Sequence, residues 1–202
     1  NIGAKLFFKD PTFVWGKDNY SGSREWISTA IRGTNFMNYI YRDDPQIITI
    51  YSFDNTSVSI FKNEELIKKD NLTSNSIKNY DFSNLEGNVV KVISDSDILV
   101  TIEAKDGIDY RPLIPQNNEI YSAGDSTKSF ITINPPESGI IVNEKCTDGH
   151  TDNLSSSTSG FIEITYGDQN YYDGVSCKYS VQGNYKLSGS SFADSNGYAS
   201  TS

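Results

Sequence analysis

A chain of 202 residues with 26 acidic and 17 basic side chains carries a formal charge of −9, and its 36 % hydrophobic content supports at most two ordinary domains. That acidity, with no run of Lys and Arg, lacks the electrostatic footprint of a protein that neutralises phosphate backbones, so nucleic acid is not an expected partner. No stretch approaches the roughly 20 consecutive apolar residues of a membrane span, and the start Asn1-Ile2-Gly3-Ala4-Lys5 has neither an initiator Met nor a signal-peptide run; a mature or excised portion is expected.

The first candidate element is Arg24 to Arg32. At helical spacing Trp26, Ile27, Ala30 and Ile31 share a face and Gly33 sits past the end; at period two, Trp26, Ser28 and Ala30 oppose Ile27, Thr29 and Ile31. Both readings stand, with strand favoured by the neighbouring segments. Ile47 to Phe53 is a β-branched and aromatic strand that ends at Asp54-Asn55-Thr56, residues of tight turns. Ser57 to Phe61 alternates Val58 and Ile60 against Ser57 and Ser59, as a half-wet sheet requires, and Lys62-Asn63-Glu64-Glu65 turns it back toward Leu66-Ile67.

Val89 to Ile93 and Ile98 to Ile102 flank Ser94-Asp95-Ser96-Asp97, a polar link of hairpin length that predicts two antiparallel strands. Phe130 to Ile133, Gly139 to Val142, Phe161 to Tyr166, Lys178 to Val181 and Tyr185 to Leu187 continue the style. Short strands at this spacing predict an all-β protein of antiparallel β-sandwich units rather than an α/β fold. The best domain break is Pro135-Pro136, because prolines cannot donate to a ladder, giving two tandem units at 1–134 and 135–202. Ser155 to Gly160 reads as an exposed loop of the second unit. The small, polar tail from Ser188 to Ser202 is expected to fray at a natural end, or to lack partner strands if the chain was cut.

His150 is the only histidine, which removes multi-histidine metal sites and leaves triad chemistry a single candidate base. Cys146 and Cys177 are the only cysteines, and an even pair in such a chain predicts one disulfide in an oxidising compartment. The rival reading is a zinc site of Cys146, His150 and Cys177 completed by Asp148 or Asp152, although the second paired half of a zinc knuckle is missing. Asp148, Asp152 and Asn153 are also weak calcium candidates, outweighed by a plain solvated loop; no cofactor is otherwise expected.

Asn19, Asn55, Asn71 and Asn153 head N-x-S/T triplets and are candidate N-glycosylation positions. With 19 Asn and 41 Ser plus Thr, about four such triplets arise by chance, so their number does not argue for secretion. Asp43-Asp44 and Asp95/Asp97 are acid pairs of the kind glycoside hydrolysis uses, yet beside Pro45 and inside a link they read as turn formers, and no catalytic residue is assigned. Among 13 Tyr and two Trp, Tyr20, Trp26, Tyr39 and Tyr41 cluster in sequence, while Tyr171 and Tyr172 on an expected turn are the candidate ligand contacts.

Two segments resemble known families. From Gly33 to about Ile114, the Ile47–Phe53 strand, the Asp54-Asn55-Thr56 turn, Leu85-Glu86-Gly87-Asn88-Val89 and Asp97-Ile98-Leu99-Val100 are similar to the IgGFc-binding-type domain, with Lys68-Lys69-Asp70 departing from its pattern. Cys146, Ser159-Gly160-Phe161-Ile162-Glu163-Ile164 and Tyr171 to Val181 with Cys177 resemble the opening of a CUB-like domain, about residues 146–187, after which the chain stops short of the remaining sandwich, its second disulfide and its acidic calcium ligands. The pairing implies a secreted or cell-surface animal protein, nematodes included. The expected function is therefore a non-enzymatic adhesion or interaction module with extracellular protein or glycan partners. The alternatives are a subunit of a self-assembling extracellular coat, layer or filament, and a lectin or glycoside-active enzyme.

Overall fold

The computed structural model describes residues 15–17, 23–25, 32–40, 46–104, 110–113, 115–123, 128–157, 160–165 and 176–192. Within them the protein is all-β and antiparallel, with no helix, and no helix long and apolar enough to cross a membrane is present. The strands are β1 (Trp15–Lys17), β2 (Ser23–Glu25), β3 (Gly33–Ile40), β4 (Gln46–Ser52), β5 (Thr56–Lys62), β6 (Glu65–Leu72), β7 (Ser76–Phe82), β8 (Asn88–Ala104) and β9 (Tyr110–Pro112). They are followed by β10 (Glu119–Ala123), β11 (Lys128–Asn134), β12 (Ile141–Cys146), β13 (Thr151–Ser155), β14 (Phe161–Thr165), β15 (Ser176–Val181) and β16 (Lys186–Phe192). Of the Arg24–Arg32 candidate, Arg24 and Glu25 lie in β2 and Arg32 is irregular; the rest is outside the described residues.

The expected hairpin at Ser94–Asp97 does not form: β8 runs unbroken through it for 17 residues. Its first half pairs with β5 and β3 and its second with β4 and β9. Because β4 and β5 are both antiparallel to β8, the Asp54-Asn55 segment between them bends the chain without reversing it. The same holds for β6 and β7, whose register against β5 and β4 carries across the gap from Thr56↔Leu72 to Ser52↔Ser76. Three long ribbons are thus creased at 53–55, 73–75 and 94–97. Small polar side chains serve the backbone there: the Ser52 hydroxyl donates to Thr73 O at 2.7 Å, Asn55 Oδ1 accepts from Ser74 N–H at 2.9 Å, and Thr56 Oγ1 accepts from Ser96 N–H at 3.0 Å. The turn after β5 does reverse the chain, with Asn63 and Glu64 both at positive φ.

Folding the ribbons over encloses the first core. Ile48 and Ile50 of β4, Val58 and Ile60 of β5, and Val90, Val92, Ile98 and Val100 of β8 point inward at alternate positions and are essentially inaccessible. Each large side chain buried this way contributes about 1.5–3 kcal/mol. Phe36, Ile40, Leu72, Tyr80, Leu85, Ile102 and Leu113 belong to the same cluster.

The second core begins at Ile120, earlier than the Pro135 break read from the sequence. β10 and β11 pair only with strands beyond that proline pair: one sheet has the order β10-β15-β12-β13, the other β14-β11-β16. Between them lie Ile131, Ile133, Val142, Ile162, Tyr179 and Leu187, with Cys146 and Cys177 joined as a disulfide at one end. Two further expectations are corrected. Ser156 of the presumed exposed loop is buried, its hydroxyl donating to Glu137 O at 2.6 Å. Ser188, placed in the fraying tail, belongs to β16 and is also buried.

The two units meet along β3. Its odd-numbered residues face away from the first core, Tyr39 stacks on Phe161 with ring centroids 4.6 Å apart, and the Ser188 hydroxyl donates to Met37 O. Lys91, paired with Glu64 at 3.2 Å, reaches Asn134 Oδ1 at 3.5 Å.

Candidate binding face and rim cluster

The register of β10, β15, β12 and β13 sorts their side chains onto two faces. On the outward face one row crosses the sheet as Tyr121, Lys178, Lys145 and Thr151, and the next as Glu119, Ser180, Asn143 and Asn153. Tyr121 is 48 % exposed, an aromatic ring standing at the end of a polar field. Lys178 Nζ meets Glu119 Oε1 at 2.6 Å, and this hydrogen bond raises the lysine pKa and keeps it charged. Asn143, Lys145, Thr151, Asn153, Lys178 and Ser180, with Glu144 and Asp152 between them in sequence, line a shallow concavity of about 440 Å³. Hydroxyls, amides, two cations and a ring on a rigid sheet are the chemistry that orients a sugar or a polar peptide surface.

On the inward face, Glu144 stands opposite Tyr179 and Asp152. Its side chain is 2 % exposed, its Oε1 accepts the Tyr179 hydroxyl at 3.1 Å, and its Oε2 lies 3.9 Å from His150 Nε2. The Cys146 sulfur sits 3.5 Å from Oε1; a disulfide sulfur has no proton to donate, so this is a packing contact. Burial pushes the Glu144 carboxyl above its ordinary pKa; Tyr179 and His150 pull it back, while Asp152 and Asp148 push it further up.

The turn carrying His150 is closed by Cys146 N–H to His150 O at 2.9 Å and by Gly149 at φ +92°, a conformation only glycine takes without strain. Asp148 Oδ1 accepts the His150 backbone N–H at 2.9 Å, and Asp152 Oδ1 that of Asn153 at 2.7 Å. These carboxylates sit where the sequence placed its weak calcium candidates. Both cysteines are consumed by the disulfide, which removes the zinc site of Cys146, His150 and Cys177.

Of the sequons, Asn55, Asn71 and Asn153 are exposed, Asn153 on the outward face just described. Asn19, Tyr171 and Tyr172 lie outside the described residues, as do Tyr20, Trp26, Tyr41, Asp43 and Asp44. Asp95 is exposed, and Asp97, on β8, lies 3.5 Å from Arg32 Nε. Sequence reasoning missed Tyr121, Lys145 and Glu144. For Glu144 the signal was its phase: it shares the parity of Val142 and Cys146, both core residues.

Compared with known proteins, the chain matches no family model, no curated protein and no solved structure.

Proposed function

We propose that the chain is a non-enzymatic interaction module of a secreted or cell-surface protein, holding a protein or glycoprotein partner on the outward face of β10, β15, β12 and β13. The observation that carries this reading is the exposed Tyr121 ring beside two in-register rows of Lys, Asn, Ser, Thr and Glu side chains. A ring offers stacking area at little entropic cost, and the amide and hydroxyl groups offer directional bonds. The disulfide is compatible with an oxidising, extracellular compartment. The resemblances to IgGFc-binding-type and CUB-like domains, resting on the residues quoted above, point to the same address.

The test is binding of the purified chain to a defined glycan array and to immobilised glycoproteins before and after deglycosylation. Retention that disappears with Tyr121→Ala and with Lys145→Ala supports the reading; no retention, or retention indifferent to both changes, overturns it. Because Asn153 stands on this face, an N-glycan at that position would cover it, and Asn153→Gln then strengthens binding.

A second reading, a subunit of an extracellular coat or filament, is favoured by one feature. Among the described residues β7 has no strand on its outer edge, and it carries Ile77 at 67 % exposure, a backbone edge and an apolar side chain of the kind that pairs with a neighbouring strand. Sedimentation separates the two: concentration-dependent assembly abolished by Ile77→Lys supports the coat, and a monomer at all concentrations removes it.

A further inference from the structure

We propose that Glu144, His150 and Asp152 form a binding site for a divalent transition-metal ion, of which zinc is the representative. One ligand atom from each of the three lies within 4.8 Å of the others. The site is graded from dry to wet: Glu144 is buried against the core, the His150 side chain is 36 % exposed, and Asp152 is exposed on the outer strand β13. An ion reaches it from solvent and meets a carboxylate held inside. Among the described residues the ion-pair partner of Glu144 is His150 alone; Lys145 and Lys178, its neighbours on β12 and β15, belong to the opposite face. A buried carboxylate with two further carboxylates beside it and one imidazole in reach is short of positive charge, and a bound cation supplies it.

The donor set selects the ion. Calcium takes six to eight oxygen ligands, whereas one imidazole nitrogen with two carboxylate oxygens and room for water suits zinc and its neighbours in the first transition row. Zinc bonds of about 2.0–2.2 Å put tetrahedral ligand atoms about 3.4 Å apart. The 3.9 Å between Glu144 Oε2 and His150 Nε2 is thus about half an ångström too wide. A metal would draw the His150 and Asp152 ligand atoms, both at the solvent side of the site, in toward Glu144.

The supporting contacts already exist. Tyr179 holds Oε1 and leaves Oε2 toward the site, Asp148 and Cys146 N–H fix the backbone of His150, and the disulfide ties β12 to β15 two residues from Glu144. The ion would fasten the 147–150 turn to the rim of the second sandwich.

The experiment is isothermal titration of the tag-free, disulfide-intact chain with zinc and, separately, with calcium at neutral pH after removal of metal by chelator, repeated with cobalt while recording visible absorption. Expected are saturable binding of one zinc per chain, preference for zinc over calcium, and cobalt bands of a nitrogen- and oxygen-ligated tetrahedral site. His150→Ala and Asp152→Asn each lower zinc affinity by at least about tenfold and remove those bands. Both positions lie on the wet rim, so these variants keep the fold where Glu144→Gln risks losing it, and Leu66→Ser, at an exposed position on β6 of the first sandwich, leaves zinc binding intact. Absence of one-to-one zinc binding, tighter calcium binding, or affinity unchanged in His150→Ala and Asp152→Asn overturns the proposal.

Discussion

Tyr179 of β15 and Glu144 of β12 stand opposite each other inside the second core, and the phenol donates its hydroxyl to the buried carboxylate at 3.1 Å. Both side chains are almost inaccessible to water, so neither end of the bond has solvent to fall back on.

Tyr179→Phe keeps the ring and deletes that donor. With metal chelated, the variant is expected to lose about 1–3 kcal/mol, the cost of leaving a buried acceptor unsatisfied. Urea unfolding at neutral pH checks this, and a loss below about 0.5 kcal/mol counts against the bond as a stabilising element.

The disulfide closes a loop with a sequence separation of 31. Chain-entropy reasoning assigns a loop of that size about 3–4 kcal/mol, by restricting the unfolded ensemble. Replacing both cysteines with Ala should therefore lower the unfolding midpoint of the second unit, because every strand partner of β12 and β15 lies in the second unit's own sheet. Thermal scans with and without reductant distinguish this from a general weakening: the wild type under reductant should match the double variant, which itself should be indifferent to reductant.

The alternation of Val58 and Ile60 and the two apolar β-branched runs were readable from the chain because each is local, and the cysteine pair because the chain has only two cysteines. The crease at Ser94–Asp97 was not, since a hairpin link and a bent central strand call for the same small polar residues. What separates them is whether partner strands continue alongside, and that is settled by β4 and β5, some forty residues earlier in the chain. One hint was present: Val90, Val92, Ser94, Ile98, Val100 and Ile102, all buried, keep a single parity across the link. Glu144 was lost for a related reason, as a charged residue ends an apolar run even when its phase continues inward. Tyr121 sits in a five-residue strand with too little pattern to reveal which side faces water.

The crease also makes Thr56 a testable position. Its hydroxyl oxygen accepts the Ser96 N–H at 3.0 Å where β8 bends. Thr56→Val preserves shape and leaves that amide without its acceptor, at an expected cost of about 1–3 kcal/mol. Backbone hydrogen exchange at Ser96 should accelerate in the variant relative to Val92; unchanged protection there would mean that water replaces the hydroxyl freely.

Asp70 and Tyr80 are ten residues apart, a separation that would span about 33 Å in an extended strand. Yet the Tyr80 hydroxyl donates to Asp70 Oδ2 at 3.2 Å, because the crease at 73–75 turns β6 and β7 onto one another. Lys78 Nζ joins them at 3.4 Å from the same carboxylate. Partial burial works to raise the Asp70 pKa, but the Asn71 N–H, the Tyr80 hydroxyl and Lys78 together outweigh it, and the net direction is down from 3.8. A carboxyl depressed on folding stabilises the native state above its unfolded pKa, and that contribution disappears as pH falls through the lower native value. The wild type should therefore lose stability below about pH 4 more steeply than Asp70→Asn, which carries no charge to titrate. Tyr80→Phe should fall between them, since Asn71 and Lys78 still favour the carboxylate. Melting temperatures from pH 2.5 to 7 give the comparison, and parallel acid limbs in wild type and Asp70→Asn would show that this bond across the open side of the first sandwich carries no proton-linked stability.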